Sequence, residues 1–117
     1  MEIHINTGNG MENRVTLERW ADAEIRQKLA RFAHEIRRVE VHLSDVNSSK
    51  GGAMDKRCLI EAHLPHHGPV AVSQQAPTMD EAFRGAESKV LHALDSVLGK
   101  LKDHRDRASI RNDPTAL

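Results

Sequence analysis

Apolar and polar residues fall into six blocks along the chain, and the spacing within each block predicts its element. Ile3 and Ile5 alternate with Glu2, His4 and Asn6, which predicts a short strand over 2–6, stopped by Gly8, Asn9 and Gly10. From Thr16 onward the apolar positions are Leu17, Trp20/Ala21, Ile25, Leu29, Phe32 and Ile36. Steps of three and four predict one amphipathic helix, with Thr16 as its N-cap. Val39, Val41 and Leu43 alternate with Glu40, His42 and Ser44 as a second strand. Cys58, Ile60, Ala62 and Leu64 alternate with Arg57, Leu59, Glu61 and His63 as a third. A weaker fourth strand covers Val70 to Gln75 and stops before Pro77. Thr78-Met79-Asp80-Glu81 then has the form of a capping box. It opens a stripe of Met79, Phe83, Ala86, Val90, Leu94, Val97 and Leu101, which predicts a helix of roughly 25 residues. Gly85 and Gly99 weaken that helix by up to about 1 kcal/mol each relative to alanine.

The order β-α-β-β-β-α predicts an α+β fold, a four-stranded sheet with two helices packed on one face. One domain is expected over residues 1–107, followed by a flexible C-terminal tail over 108–117. The stretch "SDVNSSKGGAMD" joins the second and third strands. Asp45, Asn47 and Ser49 have the odd-position spacing of a calcium loop. Yet Lys50 and Lys56 stand where that loop needs Gly and a bidentate Glu. A phosphate-cradling loop requires Gly-Lys-Ser/Thr, and here Lys50 precedes the glycines. The expected role is therefore a hairpin connection with turn-forming Ser, Asn and Gly.

Composition narrows the partners. Charged residues make up 29% of the 117 and mean hydropathy is -0.57, so the surface is well solvated. No run of 18 apolar residues exists to cross a membrane, and the N-terminus has no apolar leader core. One cysteine excludes an intrachain disulfide and fits a reducing cytoplasm. Seventeen basic and 17 acidic residues cancel, but they are unevenly distributed. Residues 26–38 hold five basic residues against one acid, residues 100–111 five against two, and residues 50–57 three against one. A neutral protein presents a basic face if its fold joins these segments.

Candidate chemistry is sparse. Cys58 alternates inward with Ile60, as a buried small hydrophobe does. No Gly-x-Ser-x-Gly elbow or acid-base carboxylate pair is evident, so no enzyme, cofactor or small-molecule substrate is expected. "HLPHHG" gathers His63, His66 and His67, with His42 and Glu61 nearby on the strands. Pro65 and Gly68-Pro69 mark a surface turn in which histidines are expected to be solvated rather than metal-bound. Trp20, Phe32 and Phe83 all lie on core stripes. The outer sheet face, with His4, His42, Arg57, Leu59 and His63, offers no ring on which bases could stack.

The stretches "FAHEIRRVEVHLSDVNSSKGG" and "DKRCLIEAHL", with this element order, resemble the HPF/RaiA (S30AE) family of ribosome hibernation promoting factors, also called sigma-54 modulation proteins. The resemblance covers residues 2 to about 105 and is closest to short single-domain members. Lys89-Val90 stands for the family's Lys-Leu, His92 for its Arg and Leu94 for its Leu, while Lys100 and Lys102 carry its basic end. Asp80 stands where the family has Tyr. The resemblance implies a translation inhibitor that binds the small ribosomal subunit and its 16S rRNA near the decoding region and keeps idle ribosomes intact under stress. Combined with the basic segments, it implies RNA contacts from Arg26, Lys28, Arg31, Lys50, Lys56, Arg57, Lys89, His92, Lys100, Lys102 and Arg105. A monomer off the ribosome is expected. The alternative is a protein-interaction module of the same fold, using the Leu91/Leu98 flank of the second helix.

Overall fold

The structure is a computed structural model that describes residues 1–8, 11, 13–46 and 55–111, with side chains described through Leu101. Its elements run β1 (Glu2–Thr7), α1 (Arg14–Lys28), a 3-10 turn (Ala30–Phe32), β2 (Arg38–Asp45), β3 (Lys56–His63), β4 (Val70–Ala76) and α2 (Met79–Arg111). This is the expected α+β order. The connection from Asn47 to Met54, including Lys50, lies outside the described residues, as do 112–117.

The strands are ordered β1-β2-β3-β4. β1 runs parallel to β2, pairing Ile3 with Val39 and Ile5 with Val41. β2 and β3 are antiparallel, with Val41 opposite Ile60, and β3 and β4 are antiparallel, with Ile60 opposite Val72. Period-two alternation sends Val39, Val41, Leu43, Cys58, Ile60 and Ala62 to one face, where each is at most 1% exposed. That face receives α2 over β3 and β4 and α1 over β1. Ala82, Phe83, Ala86, Val90 and Leu94 are fully buried beneath α2. Full burial of a side chain the size of Phe83 or Leu94 contributes about 1.5–3 kcal/mol. Trp20 of α1 meets Phe83 at 4.7 Å between ring centroids, which ties the two helices together.

The first helix differs from expectation at both ends. It begins at Arg14, and its N-cap is Asn13 in the left-handed region (φ 55°), so Thr16 lies within the first turn rather than capping it. Side chains anchor that end. Arg14 Nε donates to Thr7 Oγ1 (2.9 Å), which donates to Glu18 Oε1 (3.0 Å). The helix ends at Lys28, short of the predicted run to Ile36. The 3-10 turn keeps Leu29, Phe32 and Ile36 at 7% exposure or less, because its tighter winding still returns every third or fourth residue to the core.

α2 has 33 residues, about 50 Å at 1.5 Å per residue, rather than roughly 25. Thr78 Oγ1 accepts the Glu81 backbone N–H at 3.2 Å, the predicted cap. Gly85 lets this helix approach β4 closely, since a Cβ there would stand 2.5 Å from Gln74 Cγ.

Candidate nucleic-acid interface

The fold divides the predicted basic residues by flank. α1 rides on β1, and β1 and β4 are opposite sheet edges, so α1 and the β4 edge lie on opposite flanks of the sheet. Within α1, Arg26 and Lys28 are two residues apart and thus some 200° apart around the axis. Arg26 pairs with Asp22 one turn back (3.3 Å). Lys28 lies on the other side, near enough to Glu87 of α2 to favour its ionised form. Arg31 also reaches α2, pairing with Asp95 at 3.0 Å while its guanidinium lies 4.4 Å from the Phe32 ring centroid.

The β4 flank gathers a different set. Arg57 of β3 is paired in register with Gln75 of β4. Lys89 of α2 donates to the Ser73 carbonyl of this edge strand at 2.9 Å. Arg57 and Lys89 line one shallow notch of about 390 Å³ with Ser73, Gln74 and Gln75. From Lys89 the exposed α2 positions His92, Ser96 and Lys100 continue at three- and four-residue steps as one ridge. Among the described residues, Lys28, Arg57, Lys89, His92 and Lys100 have no ion pair. Lys56 instead binds Asp45 at 2.8 Å and lies 3.9 Å from Asp55. Lys50 lies outside the described residues, and the side chains of Lys102 and Arg105 lie outside those described, although their backbone is helical.

The notch was missed by sequence reasoning. Arg57 and Lys89 are 32 positions apart and lie on different elements, joined by the β3–β4 register and the bond from Lys89 to the Ser73 carbonyl. Two unpaired cations beside serine and glutamine side chains present charge and hydrogen-bond donors, a combination suited to a phosphate with adjoining sugar hydroxyls.

Other groups are placed otherwise. Cys58 is fully buried, and burial first, then the nearby Glu87 charge, pushes its thiol up to about 12, the wrong direction for a nucleophile. Glu87 is 6% exposed, and its Oε2 has no hydrogen-bond partner. Burial first, then Glu24, raises its pKa, while Lys28 and Arg84 pull it back. Leu91 and Leu98 are half-buried against the core, so they do not form a free apolar flank. Among the described residues the exposed large hydrophobics are Val15 and Val46. No helix among the described residues is long and apolar enough to cross a membrane.

Comparison with known proteins agrees with this architecture. The family model described as "Sigma 54 modulation protein / S30EA ribosomal protein" matches residues 4–105. The crystal structure of the Thermus thermophilus Protein Y N-terminal domain superposes with a TM-score of 0.64 at 20% identity, covering 83% of this chain and 99% of that one. A ribosomal subunit interface protein from Coxiella burnetii gives 0.59 at 20% identity, covering 88% and 99%. At such identity these two likenesses establish the fold. No match was found among curated proteins.

Proposed function

The chain belongs to the sigma 54 modulation protein / S30EA ribosomal protein family, and from that premise we propose that it is a ribosome-associated hibernation factor of the cytoplasm. It binds the small subunit through 16S rRNA near the decoding region and keeps idle ribosomes silent and intact. The observation that carries this reading is the Arg57–Lys89 notch, continued along α2 by His92 and Lys100. Unpaired, exposed cations bind phosphates without first breaking an internal ion pair, and their affinity comes from counterions released by the RNA. A ridge along one helix recognises RNA by backbone shape, in keeping with the absence of exposed tryptophan or phenylalanine rings among the described residues. Arg26, Arg31 and Lys56 already bind Asp22, Asp95 and Asp45, so their contribution is secondary. The Coxiella burnetii relative is by its name a ribosomal subunit interface protein, which is the role this reading carries to the present chain.

Chemical footprinting of 16S rRNA in small subunits, with and without the protein, tests where it binds. Protection of decoding-region nucleotides that disappears with an Arg57→Glu, Lys89→Glu variant is the expected result. Protection confined to other regions, or undiminished by the variant, would overturn the assignment.

A further inference from the structure

The face of the sheet turned away from both helices carries a second cluster that the basic notch does not use. Alternation puts Arg38, Glu40 and His42 of β2 beside Leu59, Glu61 and His63 of β3, and the antiparallel register sets Glu40 directly opposite Glu61. Like charges directly opposite across a ladder destabilise the pair unless something positive lies between them. His63 is the basic side chain nearest both. Its Nε2 is 3.0 Å from Glu40 Oε2 and 3.7 Å from Glu61 Oε2. The three side chains are 24–29% exposed, so the carboxylates have already lost much of their water. A single proton on Nε2 can be donated to one carboxylate at a time, and the other receives no hydrogen bond from it. Arg38 lies 3.8 Å from Glu40, beyond hydrogen-bond reach, and its Nε is buried without a partner. His42 lies 4.0 Å from Glu61 Oε1, and His4, facing Glu40 from β1, is 3.4 Å from Glu2 instead.

We propose that Glu40, Glu61 and His63 form a binding site for a divalent transition-metal ion of the zinc type on the uncovered face of the sheet, with water completing the shell. One atom from each residue lies within 4.8 Å of the other two. Ligands held 2.0–2.1 Å from a tetrahedral zinc lie roughly 3.3 Å from one another, and the 3.0 and 3.7 Å spacings around His63 bracket that value. A dication also neutralises both glutamates together, which one imidazole proton cannot do. The imidazole favours zinc and its borderline neighbours over calcium or magnesium, which take oxygen ligands. The set differs from the turn histidines of the sequence reading, since His66 and His67 are not members and His67 Nδ1 lies 2.6 Å from the Gly68 carbonyl oxygen. It is also separate from Arg57 and Lys89, so its fate does not depend on RNA binding.

The test is competitive titration of zinc chloride into the full, tag-free chain, using a chromogenic chelator. The expected result is one equivalent bound, weakened at least tenfold by His63→Ala and by Glu40→Gln with Glu61→Gln, and unchanged by His66→Ala with His67→Ala. Cobalt loading of the wild type is expected to give the intense visible absorption of four-coordinate geometry. Circular dichroism of each variant confirms that it is folded, and His63→Gln replaces His63→Ala if that variant is not. Absence of stoichiometric binding, binding that survives loss of His63 and both carboxylates, or binding abolished by the His66 and His67 changes would overturn the proposal.

Discussion

Glu87→Gln is predicted to stabilise the protein at neutral pH. Glu87 sits where α1, α2 and Cys58 of β3 meet, 6% exposed, with Oε2 unpartnered. Burial and then Glu24 raise its pKa above the ordinary 4.5. The sign follows from linkage. Below about pH 4.5 the carboxyl is neutral in both folded and unfolded chains and imposes no charge penalty. As pH rises the unfolded chain ionises first, and folded stability falls until the raised folded pKa has been passed. At neutral pH the wild type therefore carries the penalty built up between the unfolded and the raised folded pKa. An unsatisfied buried polar atom costs about 1–3 kcal/mol. The amide keeps the shape and some of that polar cost but removes the charge, so a gain of about 1 kcal/mol is expected, or roughly 4 °C in Tm. Paired urea melts of wild type and variant at pH 7 and pH 4 check this, because other titrations cancel in the difference. The expected gap is present at pH 7 and narrows at pH 4. A variant less stable at pH 7, or a gap that widens on acidification, would show that the ionised carboxylate is stabilised by its surroundings and would refute the reasoning.

The two α2 glycines should respond oppositely to alanine. Gly99 has open space where a Cβ would stand, so Gly99→Ala should raise stability by up to about 1 kcal/mol in thermal melts. Gly85→Ala should fail to gain, since its Cβ would meet Gln74 Cγ at 2.5 Å, and adding Gln74→Ala should restore the gain. Phe83→Ala should cost about 3–5 kcal/mol in urea unfolding, because the side chain is fully buried and packs on Trp20. Cys58, with its thiol pushed up to about 12 from 9.0, holds roughly a thousandfold less thiolate at pH 8 than an ordinary cysteine. Reaction with a chromogenic disulfide should therefore be slow in the native protein and fast in urea.

How far these properties could be read in advance depends on whether they arise from local or distant residues. The strand alternation, the α2 stripe and the Thr78 cap involve neighbours within four positions, and all three appear in the structure. The end of α1 did not, because Leu29, Phe32 and Ile36 satisfy a 3-10 turn as well as an α-helix. Nor did its start, where the anchor is Thr7 of β1 rather than a cap of its own. Among the cations, the Asp22–Arg26 pair was readable at its four-residue spacing. The Arg31–Asp95 pair, 64 positions apart, was not. The meeting of Glu40 with Glu61 required the β2–β3 register, which alternation alone leaves open, since a shift of two residues preserves the buried face.

Cosedimentation with purified small ribosomal subunits across a salt series tests the ribosome assignment most directly. Binding at low salt should weaken steeply as salt rises, and each phosphate contact removed should lower the slope by about one. An Arg57→Glu, Lys89→Glu, Lys100→Glu variant with intact fold should stay in the supernatant. Wild-type protein that fails to pellet even at low salt, or a charge-reversed variant that pellets equally well, would contradict the account.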